Sequence, residues 1–313
     1  MHYTEPIMRP PCEGYSILIE ATAGCSHNKC TFCSAYKETC FRIAPMEQIR
    51  QDIVEAGRFA TFTQTPRYLD ATTNYVLSSA GTKHNERGFL LSGDAFAMSF
   101  KDLKQIALWI HEYIPSTKVI TAFTTVNDIR RKTLEELKEL AALGYNDLYV
   151  GTETGSPDIL AWIKKGHTLQ DALEQLHRLE NTSIRYSIQY ITGLAGSGNR
   201  VKNAVESAEF FNQIHPYMIG SSSLTIFPDT ELGNAFAHGT FTEASELERI
   251  EEMRVLIDHI KINTFFSSQH ISSMIPVVGL LPNDKERLLS NLDRVIAELK
   301  SMKMLPKYER NIV

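Results

Sequence analysis

The chain has 313 residues and a formal net charge of −5, with 43% hydrophobic and 22% charged residues. That balance is globular and excludes collagen, coiled coil and an extended disordered chain. The slight acidity lacks the basic stripe of a duplex-binding domain, although a local tRNA contact could hide inside it, so nucleic acid is disfavoured as a partner and a small-molecule substrate is expected.

In chain order, short β-like apolar runs stand at residues 16–20, 89–92, 118–123, 147–151, 184–191 and 218–226. Helical patterns fall between and after them. Residues 46–57 follow Pro45, and 100–113 carry Leu103, Ile106, Ala107 and Ile110 on one face behind the capping pattern Ser99-x-x-Asp102. Residues 132–143 end at Gly144, a usual residue after a helix, and a further helix starts at Ser156-Pro157 and stops near Gly166. Residues 168–180, 201–214 and 243–261 complete the set. Strands alternating with helices imply parallel pairing through right-handed crossovers, hence an α/β fold of partial (β/α)6 TIM-like barrel type. The expected division is a barrel over 1–261 and a C-terminal extension over 262–313 that caps it, with one helix at about 283–301. Residues 59–87 are polar and too long for an ordinary connection, so they are read as a solvated insert, a lid or a binding loop.

No basic and apolar leader opens the sequence, and no stretch approaches 18 uninterrupted apolar residues, so a cytoplasmic protein without a membrane span is expected. All five cysteines, Cys12, Cys25, Cys30, Cys33 and Cys40, lie near the start. An odd number in a chain with no export signal fits a metal site or reactive thiol better than disulfides. Cys25, Cys30 and Cys33 form a C-x4-C-x2-C loop directly after the first strand. Three thiolates on one short loop can ligate three corners of a cubane cluster and leave the fourth iron open for a cofactor. The alternative is a zinc-stabilised α/β binding or regulatory protein, with Cys40, Cys12 or His27 completing a tetrahedron. Position favours the cluster, because strand C-termini build the active site in barrels of this kind.

With that loop, the sequence resembles the radical SAM superfamily, and especially its coproporphyrinogen-dehydrogenase-like and methylthiotransferase-like branch, over about residues 15–230. Ser92-Gly93-Asp94 stands where the family has a Gly-Gly-Glu-like turn. Gly151-Thr-Glu153-Thr-Gly155-Ser156 resembles its G-x-E-S-G-S segment, and Ile163-Lys-Lys-Gly166 follows as in that branch. The usual spacing is C-x3-C-x2-C, so the extra residue here is expected to bulge out of the loop. The resemblance implies a [4Fe-4S] cluster, S-adenosylmethionine, its reductive cleavage to a 5′-deoxyadenosyl radical, and an electron donor such as flavodoxin or ferredoxin. It also implies that Phe32 lies near the adenine.

Individual residues then acquire expected roles. Gly93 lets the backbone approach the methionine moiety, while Ser92 and Asp94 belong to the turn that grips its ammonium group. Glu153 is placed to bind ribose hydroxyls or the cationic cofactor, and Gln189, with Ser187 and Thr192 on the same strand, faces a polar cavity. The run Gly193-Leu-Ala-Gly196-Ser-Gly198 has the wrong spacing for a dinucleotide fingerprint and is read as a loop. For substrate chemistry the candidates are His270 as an acid or base, Cys40 as a hydrogen-atom donor, and Tyr36 and Arg42 near the mouth. No cysteine follows Cys40, so an auxiliary cluster of C-terminal cysteines is not expected, and no D-x-H-x-x-G signature marks a cobalamin domain. Hydrogen abstraction from an organic substrate is the remaining chemistry.

Overall fold

A computed structural model describes residues 1–59, 69–304 and 307–310. Its strands are β1 (Ile17–Glu20), β2 (Thr22–Ala23), β3 (Arg42–Ile43), β4 (Arg87–Leu91), β5 (Val119–Thr124), β6 (Leu148–Glu153), β7 (Tyr186–Thr192), β8 (Met218–Ser223), β9 (Thr264–Ser267) and β10 (Val278–Leu281). Its helices are α1 (Met46–Phe59), α2 (Ala71–Ala80), α3 (Phe100–Tyr113), α4 (Val126–Arg130), α5 (Leu134–Ala142), α6 (Pro157–Trp162), α7 (Leu169–Glu180), α8 (Arg200–Phe211), α9 (Glu231–Ala237), α10 (Glu246–His259) and α11 (Lys285–Ser301).

The larger sheet runs β1-β4-β5-β6-β7-β8-β9-β10, and β2 pairs with β3 in a separate antiparallel ribbon. The pairs β1–β4, β4–β5, β5–β6 and β8–β9 are parallel, whereas β10 returns antiparallel to β9. All six expected strands are present, and two more follow in the segment after residue 261, where the sequence predicts only a helix. β9 is a four-residue run buried on both faces, a pattern that periodicity alone does not separate from a buried helical turn. In β10, Gly279 weakens the strand signal. The polar insert is also corrected in part. Asp70 accepts hydrogen bonds from the backbone N–H of Thr72 and Thr73 and so caps α2, which buries Thr72, Thr73, Val76 and Leu77. Residues 60–68 of that insert lie outside the described residues. Among the described residues no helix is long and apolar enough to cross a membrane.

The chain divides into two compact units. The first holds residues 1–28, 36–151 and 175–187. Every residue of β4 is buried, as expected of a parallel strand covered on both faces. In α3 the buried residues Leu103, Ile106, Ala107 and Ile110 follow the helical repeat, and Ser99 Oγ accepts from the Asp102 N–H at 3.1 Å. Helix α1 turns Ile49, Ile53 and Ala56 inward. Below them lies a buried charge net: Arg87, fully buried, bonds Glu13 on one side and Asp147 at 2.8 Å on the other. Tyr149 Oη donates to Glu13 at 2.6 Å, and Asp147 also accepts from Arg185 at 2.7 Å.

The second unit holds residues 29–35, 152–174 and 188–313. Its core includes Leu160, Ile163, Ile191, Leu194, Leu224, Leu232 and Phe241, with Phe32 packed against them. A second buried net centres on Glu252, which accepts from Tyr190 Oη at 2.6 Å, from Asn203 at 2.7 Å and from the Gly193 N–H at 2.8 Å. The glycine-rich run after β7 is a loop, as the sequence predicts, and its first glycine is needed for packing. A Cβ on Gly193, whose φ is +80°, would stand 2.5 Å from the Arg249 guanidinium.

Candidate active site

The loop from Cys25 to Cys33 begins in the first unit and ends in the second, and each end is fixed by its own unit. In the first, Gly24 adopts a φ of +77°, which glycine tolerates freely, and a Cβ there would also meet the Phe41 backbone at 3.0 Å; this turn leads β2 into the cysteine loop. The Gly24 carbonyl accepts from Ser92 Oγ at 2.6 Å and from the Gly93 N–H at 3.2 Å, so the turn after β4 is stitched to the start of the loop. From the other side the Gly24 N–H donates to Glu5 at 2.8 Å.

Asp94 and Gly93 act on that same segment. The Asp94 carboxylate accepts from the Ser26 N–H at 3.0 Å and from the Ser26 hydroxyl. Burial and the neighbouring Asp128 push its carboxyl up to about 6. At Gly93 a Cβ would lie 2.8 Å from Tyr36 and 2.9 Å from the Cys25 Cβ, so this glycine admits protein atoms of the loop itself. Tyr36 is buried, and its carbonyl accepts from Asn28 at 2.7 Å. Ser92 sits at a φ of +99°, a strained conformation for a residue with a side chain.

In the second unit, the Thr31 N–H donates to the Ile163 carbonyl at 3.0 Å and the Thr31 carbonyl accepts from Leu232 at 2.9 Å. These bonds hold the backbone between Cys30 and Cys33. The Cys33 thiol is pushed up by burial and by the neighbouring Cys30, against a backbone N–H bond from Ala35 and the charge of Lys165. Glu153, at a φ of +64°, pairs with Lys165 at 2.7 Å. Gln189 lies over Gly220, its Oε1 2.8 Å from where a Cβ of that glycine would stand. Thr192 Oγ1 meets Ser223 Oγ at 2.9 Å. In the first unit Ser187 Oγ is buried with no hydrogen-bond partner. Of the candidates for substrate chemistry, Cys40 is exposed and Arg42 donates to Thr4 Oγ1 at 2.7 Å. His270 lines a pocket together with Phe32, Ser222 and Thr225.

Sequence reasoning missed three of these partners: Ser26, Glu5 and Ser272, the last bonded to His270 Nδ1 at 2.8 Å. Each is a common polar residue whose role depends on a neighbour remote in sequence or in an irregular turn. Lys165 did carry a signal, the Lys-Lys-Gly segment, though not its pairing with Glu153.

The donor set fits an iron–sulfur cluster. Cys25, Cys30 and Cys33 are free of disulfides, and a cubane takes its thiolates one to an iron corner. Cys12 is buried against Tyr149 Oη at 3.2 Å, and burial pushes its thiol up to about 12. Among the described residues no three or more His, Cys, Asp or Glu side chains are gathered to hold a single metal ion.

Comparison with known proteins agrees with this chemistry. The family model of the Radical SAM superfamily matches residues 19–207, more than half of the chain. The tRNA uridine(34) acetyltransferase of Methanocaldococcus infernus is 21% identical over 258 residues, covering 75% of this chain and 47% of the relative. That of Methanocaldococcus jannaschii is 25% identical over 118 residues, covering 37% of this chain and 22% of the relative. The chain thus spans less than half the length of the curated relatives it matches. Among solved structures, the fold is similar to the radical S-adenosylmethionine methyltransferase TsrM of Kitasatospora setae. The TM-score is 0.52 at 16% identity, over 72% of this chain and 39% of that one.

Proposed function

The chain belongs to the radical SAM superfamily, an enzyme family that uses a [4Fe-4S] cluster and S-adenosylmethionine, and we propose that it abstracts hydrogen from a small organic substrate. When bound, the cluster and S-adenosylmethionine supply a 5′-deoxyadenosyl radical. Cys25, Cys30 and Cys33 hold the cluster in this reading, and the observation that carries it is a donor set of three thiols on one loop, with Cys12 buried against Tyr149 Oη and Cys40 exposed. Asp94 and Glu5 fix the backbone beside Cys25, while Ile163 and Leu232 fix the backbone beside Cys30. Lys165 pairs with Glu153 and orients its carboxylate, whose oxygens can accept hydroxyl hydrogens. The buried walls around Phe32 exclude water, which a carbon radical requires. A flavodoxin or ferredoxin serves as electron donor.

Anaerobic reconstitution tests the proposal. About four iron per chain are expected, with 5′-deoxyadenosine formed from S-adenosylmethionine on reduction with dithionite. Colourless protein carrying stoichiometric zinc would overturn it. A tRNA substrate is the second reading, favoured by the two relatives named as acting on tRNA uridine(34). Stimulation of 5′-deoxyadenosine formation by added tRNA supports that reading, and no stimulation supports the small substrate.

A further inference from the structure

The stretch between Cys25 and Cys30 is one residue longer than the usual spacing, and its backbone turns sharply within that stretch. Of residues 25–33, Asn28 is the one with a positive φ, +40°. Asparagine is among the few residues with a side chain that visit this region, whereas the Cβ of most others crowds the following carbonyl. The turn has a use. It points the Asn28 backbone N–H back at Cys25, whose Sγ accepts it at 3.5 Å.

The first unit holds that turn in place. Asn28 Nδ2 donates to the Tyr36 carbonyl at 2.7 Å, and Lys37 Nζ donates to the Asn28 carbonyl at 3.3 Å. Tyr36 is itself buried, and the bare backbone of Gly93 lets its ring lie beside Cys25. A Cβ on Gly93 would stand 2.8 Å from the tyrosine ring and 2.9 Å from the Cys25 Cβ. The asparagine side chain therefore ties the N–H that reaches the first thiol to a residue anchored in the packed turn after β4. In the second unit the Cys33 sulfur has a comparable donor, the backbone N–H of Ala35.

Hydrogen bonds to the sulfurs are one of the levers that set the reduction potential of an iron–sulfur centre. One electron passes from the donor, which is oxidised, to the cluster, which is reduced; every iron–thiolate bond stays in place, and the negative charge on the sulfur ligands grows. An N–H donor is worth more to the more negative sulfur. We propose that Asn28 is a positioning residue that raises the reduction potential of the cluster by fixing its N–H on Cys25 Sγ, with the Tyr36 carbonyl as its anchor.

The inference rests on the cluster reading and is independent of the substrate. Its test is a redox titration, followed by electron paramagnetic resonance, of anaerobically reconstituted protein without S-adenosylmethionine. Asn28→Gly keeps the freedom to adopt a positive φ but loses the bond to Tyr36, and Asn28→Ala loses both. At the potential where wild-type clusters are half reduced, the ratio of reduced to oxidised cluster is expected to fall about tenfold in Asn28→Ala, or about 59 mV for a one-electron couple. Asn28→Gly falls by a smaller factor, and it carries the test alone if Asn28→Ala does not load iron. Iron content in Asn28→Gly stays at the wild-type level. In wild-type protein labelled with nitrogen-15 at asparagine, pulsed resonance of the reduced cluster shows a nitrogen coupling that Asn28→Gly lacks. A wild-type potential in Asn28→Gly, or a labelled wild-type cluster without that coupling, overturns the assignment. Wild-type protein that loads no iron overturns the cluster reading and this inference with it.

Discussion

Asp94, expected in the turn that grips the cofactor, also has a task in the fold. Its oxygens hold Ser26, and burial raises its carboxyl from 3.8 to about 6. An acid that binds its proton more tightly when folded contributes stability that is present below pH 3.8 and lost as pH rises through about 6. The loss is at most about 3 kcal/mol. Asp94→Asn keeps an acceptor for the Ser26 N–H and removes the titration. Urea unfolding of the apoprotein is therefore expected to show wild type losing stability relative to the variant as pH rises through this range, and a difference that does not change with pH would place the titration elsewhere. The thiols differ as sharply. Cys12 is buried with its thiol pushed up to about 12, while Cys40 is exposed. An alkylating reagent should label Cys40 in native protein and reach Cys12 only on unfolding, as peptide mapping would show. Early labelling of Cys12 would mean that the segment around residues 11–13 opens readily.

At the scale of elements, the six sequence-predicted strands and most long helices are legible because periodicity and capping residues act locally, as Ser99 does for α3. The cysteine loop is legible for the same reason. The pairing of Asp94 with Ser26 spans 68 residues, and that of Glu13 with Arg87 spans 74, so neither leaves a mark in a single sequence. Arg87 and Asp147 each stand beside a strand start, where a charged residue ordinarily reads as solvated, yet both are fully buried and tie the 11–13 turn to β4 and β6. Removing the cation alone leaves the buried Glu13 carboxylate without its cation and Asp147 with Arg185 alone, so Arg87→Met should cost about 3–5 kcal/mol. In the double variant Arg87→Met with Glu13→Leu, Asp147 retains Arg185, and the loss should be smaller than in the single variant. Denaturant midpoints decide the matter. A double variant less stable than the single one would show that the net is not coupled in this way.

For the molecule as a whole, the question is whether the metal loop holds the fold together or is held by it. Each unit has its own apolar core and its own buried polar net, and neither the Arg87 nor the Glu252 net includes a cysteine of the loop. The loop is instead fastened by backbone bonds at Gly24, Ser26 and Thr31 to elements already packed. This differs from a zinc finger, where binding energy and folding energy are the same quantity. Cys30→Ala is therefore expected to lose its iron while keeping wild-type circular dichroism and an apo melting temperature within a few degrees of wild type. Ligand linkage provides the complementary measurement. S-adenosylmethionine at a hundredfold excess over Kd should stabilise iron-loaded wild-type protein by about 2.7 kcal/mol and raise its melting temperature, and the gain should be much smaller in Cys30→Ala. If Cys30→Ala unfolds outright, the loop is a structural knuckle and the cores do not suffice. If it keeps full iron loading, Cys30 is not a ligand and the three-thiolate donor set is wrong.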